Sequence, residues 1–257
     1  MKIDFNDCYF TFNKKDCLFY CDNISISSGE IIGVLGANGA GKSTLFKCLT
    51  KELRLFKGDI LLDGKSINNF NTKELSKTIS LVSQTDYLNI DYEVLLLVLM
   101  GITPHLSIFS RPNDEDIKKC NYFINLVGLD EKTNSRYSTL SGGEKKLTSI
   151  AQALYKNTEI NIFDEPTANL DISNKIKIMK AIKRIVQEQN KIFLISSHDP
   201  NEIINIADKI IYFYNKKISI INKEKILDND LLKLIFNTDV KIISDANKNT
   251  SHIILEV

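Results

Sequence analysis

The chain lacks a surplus of either charge. Its 33 basic residues stand against 32 acidic ones over 257 positions, for a formal net charge of +1. No global attraction to nucleic acid or to an anionic surface is therefore built in. It also lacks paired cysteine spacing. The five cysteines, Cys8, Cys17, Cys21, Cys48 and Cys120, are odd in number and form no C-x-x-C pair. That argues against a disulfide framework or a thiolate metal centre, and for reduced structural thiols in a cytosolic protein. Long apolar runs are missing too. The longest, residues 94–100, is far too short to span a bilayer. Asp4 stands where an export signal would place its apolar region, so no such signal is expected. There is no low-complexity linker and no internal repeat. If the protein works at a membrane, another chain is expected to supply the spanning part.

What is present is a phosphate cradle. Residues 36–44, Gly36-Ala37-Asn38-Gly39-Ala40-Gly41-Lys42-Ser43-Thr44, fit the pattern G-x-x-x-x-G-K-[ST]. An apolar run, residues 31–35, precedes them, and a helical-looking segment begins at Leu45. The glycines let the backbone curl so that successive N–H groups converge on phosphate oxygens. The next helix offers its N-terminal donors and partial positive charge to the same oxygens. Lys42 adds a full charge at the β/γ position, and the Ser43 hydroxyl is placed to ligate Mg²⁺. Nucleoside triphosphate binding is the expectation.

Around this loop, short strands are expected at residues 4–5, 9–10, 24–26, 31–35, 59–65 and 78–82. Helical length and spacing then mark residues 92–100, 113–127 and 144–155, a helical insert. Strands resume at 159–163, 191–196 and 209–214, with helices at 173–189 and 200–207 between them. This alternation predicts a mainly parallel sheet flanked by helices. The tail reads as a hairpin strand, a helix at 228–236 and strands at 240–244 and 252–257. The fold class is thus α/β: a P-loop NTPase core with N-terminal antiparallel strands and an inserted helical subdomain. Its parts are a nucleotide-binding core (1–83 and 158–216), a helical subdomain (84–157) and a C-terminal extension (217–257).

Two further segments carry chemistry. Asp164 and Glu165 sit at the C-terminal end of an apolar strand, the sheet edge where open α/β folds bind ligands. An Asp there can hold Mg²⁺, and an adjacent Glu can take a proton from an attacking water. Asn161, inside that strand, requires a hydrogen-bond partner if buried. Further upstream, Ser141 and Glu144 make a capping box at a helix start. The box leaves Gly142 and Gly143 unexplained, since glycines are poor first-turn residues. Close backbone approach to a phosphate would account for them. Of the N-terminal aromatics, Tyr9, Phe10 or Phe12 could stack on a nucleobase.

In order and spacing these motifs resemble the ATP-binding subunit of ABC transporters. Residues 36–44 match the Walker A loop, Gln84 the Q-loop, and 140–144 the signature sequence. Residues 160–165 match Walker B, Ala168-Asn169-Leu170-Asp171 the D-loop, and His198 the switch histidine. The resemblance implies two copies stacked head to tail, each ATP held between one copy's Walker A loop and the other's signature. Ser141, Gly142, Gly143 and Glu144 then form the partner-ATP segment. Glu165 is the general base, and His198 contacts the γ-phosphate. Gln84 contacts Mg²⁺ and the attacking water, with Ser43 and Asp164 also at the metal, and Asp171 couples the two sites. Phe12 is assigned to the adenine by its distance from the loop. Cofactors are ATP and Mg²⁺, and no nucleic acid is involved.

A narrower likeness lies in residues 94–105 and 196–201, which are similar to segments of importers for ferric siderophores, haem and cobalamin. It implies a peripheral subunit on the cytoplasmic face of the membrane, working with integral-membrane permeases and, indirectly, a substrate-binding protein. A zinc or manganese importer ATPase, or a soluble ABC ATPase such as an iron–sulfur cluster assembly factor, is the alternative. Three positions depart from the family pattern. The signature runs into Lys145-Lys146 where Arg-Gln is usual, and Gln152 and Ile102 each stand where Arg is common.

Overall fold

Alternation of apolar and polar side chains builds β1 (Lys2–Phe10), which buries Ile3, Phe5, Cys8 and Phe10. The step from Phe5 to Cys8 breaks the alternation, which is why the sequence suggests two short strands there. The chain instead makes one strand with an irregular register between Asn6 and Tyr9, and Asp7 in the left-handed region at φ 46°. The computed structural model describes residues 1–84, 91–107, 110–245 and 250–255. They fall into two compact units, Met1–Asn69 with Leu194–Val257, and Phe70–Phe193.

In the first unit, β1 pairs antiparallel with β2 (Phe19–Tyr20) and β3 (Ile24–Ser27). The fully buried β4 (Ile31–Leu35) leads into α1 (Lys42–Leu49). Next come β5 (Lys57–Leu62), antiparallel to β1, and β6 (Lys65–Ser66), antiparallel to β5.

The second unit opens with α2 (Thr72–Thr78), which the sequence reading passed over. The Asn71–Glu74 capping box starts it. β7 (Ile79–Val82) follows, then α3 (Val94–Leu99), which tightens into 3-10 turns over Met100–His105. The expected helix at 92–100 starts only at Val94 because Tyr92 and Glu93 are held against residues 136–137, the Tyr92 carbonyl accepting from the Tyr137 N–H at 2.9 Å. Near its other end Gln152 Nε2 donates to the Leu97 carbonyl at 2.6 Å. Next stand α4 (Asp114–Leu126), α5 (Gly142–Lys156), β8 (Ile160–Asp164) and α6 (Ile172–Gln189). The apolar faces of α3, α4 and α5 pack on one another through Val94, Leu97, Cys120, Ile124, Leu147 and Ile150. β7 and β8 are parallel, in register from Ile79–Ile160 to Val82–Phe163. Buried Asn161 meets its requirement within this pair. Its Oδ1 accepts from Ser80 at 2.9 Å and Thr158 at 3.2 Å, and its Nδ2 donates to the Thr158 carbonyl at 3.2 Å.

β9 (Ile192–Ser196) carries the chain out of the second unit. The first unit resumes with α7 (Pro200–Ile206), β10 (Lys209–Tyr214) and β11 (Lys217–Asn222). β10 lies parallel to β4 and antiparallel to β11, giving this unit the strand run β6-β5-β1-β2-β11-β10-β4. The mixed α/β architecture with antiparallel N-terminal strands is as the sequence implies. The tail adds α8 (Asn229–Phe236) and a hairpin of β12 (Val240–Asp245) with β13 (Thr250–Leu255). Asn201 on α7 ties the hairpin down, donating to the Ile253 carbonyl at 3.0 Å and accepting from its N–H at 2.7 Å. Of the strand expected at 252–257, residues 256 and 257 lie outside the described residues.

Candidate functional site

In the first unit the phosphate-binding pattern forms the bend between β4 and α1. Gly41 is the N-cap residue of α1 at φ 109°, a conformation costly for any residue with a Cβ. A Cβ there would also lie 3.0 Å from the Phe19 ring. No side chain caps this helix and no acid lies in its first turn. Its N-terminal donors and partial positive charge are thus not taken up by a capping side chain, as an anion site requires. The Lys42 ammonium is drawn over the bend, donating to the carbonyls of Gly36 at 2.7 Å and Ala37 at 3.2 Å. Asn38, Gly39 and Ser43 are exposed, Ala40 and Thr44 half-buried, and Gly36 and Lys42 buried.

Phe12 stands clear of the strand at 68% exposure, its ring edge-on to Phe10 at 4.9 Å. His198 is exposed in the turn between β9 and α7. That turn is fixed by its neighbours. Ser197 Oγ donates to Glu202, accepts from the Asp199 N–H, and Asp199 caps α7.

In the second unit the end of β8 carries two buried carboxylates, Asp164 at 4% and the following Glu165 at 6% exposure. Glu165 adopts φ 51°. For a residue with a Cβ this left-handed conformation costs about 1–2 kcal/mol, strain of the kind stored at functional positions. Gln84, two residues beyond β7, donates from Nε2 to Glu165 Oε2 at 2.7 Å. The structure thus brings together two residues that lie 81 positions apart. Lys146, on α5, reaches the same place. Its ammonium donates to the Ser83 carbonyl at 2.7 Å and to the Asp164 carbonyl at 3.3 Å. Sequence reasoning marked Lys146 only as a departure from a pattern. No local signal in the sequence singles it out from the adjacent Lys145.

The start of α5 carries the capping box in full. Ser141 Oγ accepts from the Glu144 N–H at 3.3 Å, and Glu144 Oε2 accepts from the Ser141 N–H at 2.8 Å. The Ser141 backbone bond, helped by nearby Lys132, holds the Glu144 carboxyl below its ordinary range. Gly143 has a packing role as well. A Cβ would lie 3.2 Å from Leu170 and 3.4 Å from the Asn169 carbonyl, so the 168–171 loop presses on this helix start. Asp171 ends that loop as the N-cap of α6, accepting from the Asn174 N–H at 2.8 Å.

Among the described residues no cluster of His, Cys, Asp or Glu forms a self-contained metal centre, and no helix is long and apolar enough to cross a membrane.

Known proteins are similar along most of the chain. Residues 22–168 match the model of the family described as ABC transporter. The iron(3+)-hydroxamate import ATP-binding protein FhuC of Bacillus subtilis (strain 168) is 33% identical, covering 88% of this chain and 85% of that protein. The petrobactin import ATP-binding protein FpuC of Bacillus anthracis is 30% identical, over 88% and 84%. A solved ABC transporter described as of metal-chelate type, in an inward-facing conformation, superposes with a TM-score of 0.84. It is 25% identical and covers 99% of this chain and 97% of its own.

Proposed function

The chain belongs to the ABC transporter family, and on that premise we propose that it is the ATP-hydrolysing subunit of an importer. In this reading it drives uptake of a metal chelate, such as a ferric siderophore, haem or cobalamin, through a separate integral-membrane permease. It acts as a peripheral subunit on the cytoplasmic face of the membrane. The observation that carries the reading is the Gln84–Glu165 hydrogen bond, which joins a buried carboxylate suited to proton abstraction to the segment expected to sense the permease. The relatives named for iron(3+)-hydroxamate and petrobactin import support the cargo class.

The residues fit Mg-ATP. The uncapped start of α1 suits a triphosphate, and Mg²⁺ takes few protein ligands when phosphates supply the rest. Gly36, Asn38, Gly39, Ala40, Gly41, Lys42, Ser43 and Thr44 hold the phosphates, and Phe12 stacks on the adenine. Ser43, Gln84 and Asp164 would hold the metal, which when bound neutralises charge on the β- and γ-phosphates. Glu165 takes the proton of the attacking water at its carboxylate, and Gln84 orients that water. His198 steadies the γ-phosphate. Ser141, Gly142, Gly143 and Glu144 of a second copy, stacked head to tail, close over the same ATP, and Asp171 couples the two sites.

For the permease, the second unit offers a cavity of about 400 Å³ lined by Met100, Pro104, Ser149, Gln152 and Lys156 among others. We assign it to a helical segment of the membrane subunit. Co-purification in detergent with the permease encoded nearest this chain tests the pairing. Uptake of labelled ferric siderophore, haem and cobalamin by a deletion strain tests the cargo. Restored uptake of one of them by the intact chain supports the reading. Failure to co-purify with any candidate permease would sink it.

A further inference from the structure

We propose that Lys146 is a positioning residue for hydrolysis, fastening the signature helix to the backbone turns that present Gln84 and Glu165. The proposal rests on the ATPase reading given above.

The strand register stops just short of the functional residues. β7 and β8 are in register up to Val82 and Phe163. The next residues on each strand, Ser83 and Asp164, would form the following pair. At that point the Lys146 ammonium takes both carbonyls, at 2.7 and 3.3 Å. An ammonium has three donors and no acceptor, so one group can bridge the two strand ends. Each bridged carbonyl lies one residue before a functional side chain. Ser83 precedes Gln84, Asp164 precedes Glu165, and those two side chains meet at 2.7 Å. Lys146 thus closes a ring of contacts whose other closing bond is the Gln84–Glu165 contact.

The placement is costly, which argues that it is not incidental. Half-burying the ammonium costs desolvation, offset here by two carbonyl acceptors. Lys146 is two residues from Glu144 of the capping box, so the segment expected to meet a second copy's nucleotide and the segment bearing the base are braced by one side chain. The Gln usual at this position in the family carries an amide with two donors, a shorter means to a similar bridge.

The test is a set of steady-state and binding measurements on the full chain. Lys146→Met keeps the length of the side chain and removes the donors. It is expected to lower kcat on the order of tenfold to a hundredfold, the scale of a misplaced reacting group, with KM for ATP and nucleotide affinity unchanged. Lys146→Gln, which retains donors, is expected to recover at least half of the activity. In a Glu165→Gln background Lys146→Met is expected to add nothing, because both changes act through one carboxylate. Wild-type kcat in Lys146→Met would overturn the proposal. So would equal loss of nucleotide affinity, or an additive effect in the double variant. A wild-type protein that binds but never hydrolyses Mg-ATP would instead defeat the ATPase reading itself.

Discussion

Gln84 and Glu165 lie on different segments of the second unit and meet side chain to side chain at 2.7 Å, amide donor to carboxylate acceptor. In this bond Glu165 is the acceptor, through Oε2. Replacing Glu165 with Gln substitutes an amide that cannot accept the water's proton. Turnover is expected to fall on the order of a hundredfold or more while ATP still binds. Phosphate release and nucleotide binding, measured side by side, check this. Full retained activity would remove Glu165 from the mechanism.

The backbone at Glu165 makes a second, independent prediction. At φ 51° glycine is free of the steric cost that alanine carries. Glu165→Gly is therefore expected to be more stable than Glu165→Ala by about 1 kcal/mol, or roughly 2–4 °C in a chain of this size. Thermal unfolding of the two inactive variants is the measurement, and equal midpoints would contradict it.

Asn161 is where the buried polar network is most exposed to damage. Asn161→Leu takes the acceptor from the Ser80 hydroxyl and the donor from the Thr158 carbonyl in a region closed to water, while the Thr158 hydroxyl keeps the Ile160 carbonyl at 3.0 Å. The expected loss is about 2–3 kcal/mol by urea unfolding. Adding Ser80→Ala removes one stranded hydroxyl, so the double variant is expected to lose less than the sum of the two single changes.

The thiols differ in reactivity. Burial pushes Cys48 and Cys120 up to about 12, leaving almost no thiolate at neutral pH, whereas Cys17 is half-exposed. Iodoacetamide at pH 8 is expected to label Cys17 first and to reach Cys48 and Cys120 only on unfolding. Mass spectrometry of the alkylated native protein would show the order.

The capping carboxylate of α5 sets a pH dependence of known sign. The Ser141 N–H, then Lys132, lowers Glu144 from its ordinary value of 4.5. A depressed carboxylate contributes fully above its unfolded value and loses that contribution as pH falls through the lower folded one. Glu144→Gln retains a capping side chain without the charge. The stability gap between wild type and this variant is expected to be constant well above the ordinary value of 4.5 and to narrow progressively as pH falls below it. A gap independent of pH would show that the charge contributes nothing.

The phosphate loop could be read in the sequence because its residues state local requirements: glycines at a bend, then a lysine at a helix start. The helical insert was readable from its 3.6 periodicity, and Ser141–Glu144 from its spacing. What stayed hidden was non-local. Nothing in the sequence pairs Gln84 with Glu165, or seats Lys146 on Ser83 and Asp164. Asn161 announced a need for a partner, but only the register of β7 against β8 names Ser80. Two misses were local. The bulge at Asp7 reverses the alternation in β1, so that the pattern reads as two strands. The helix α2 is absent from the periodicity reading although Asn71 and Glu74 encode its cap.

The posture of Lys42 bears on how affinity will be measured. Its ammonium is already bonded to the carbonyls of Gly36 and Ala37, so an arriving phosphate enters by exchange and does not meet a bare charge. The heat released on nucleotide binding then reports the difference between two sets of hydrogen bonds. Calorimetry should return a smaller enthalpy than a count of phosphate contacts suggests, without the contacts themselves being weak.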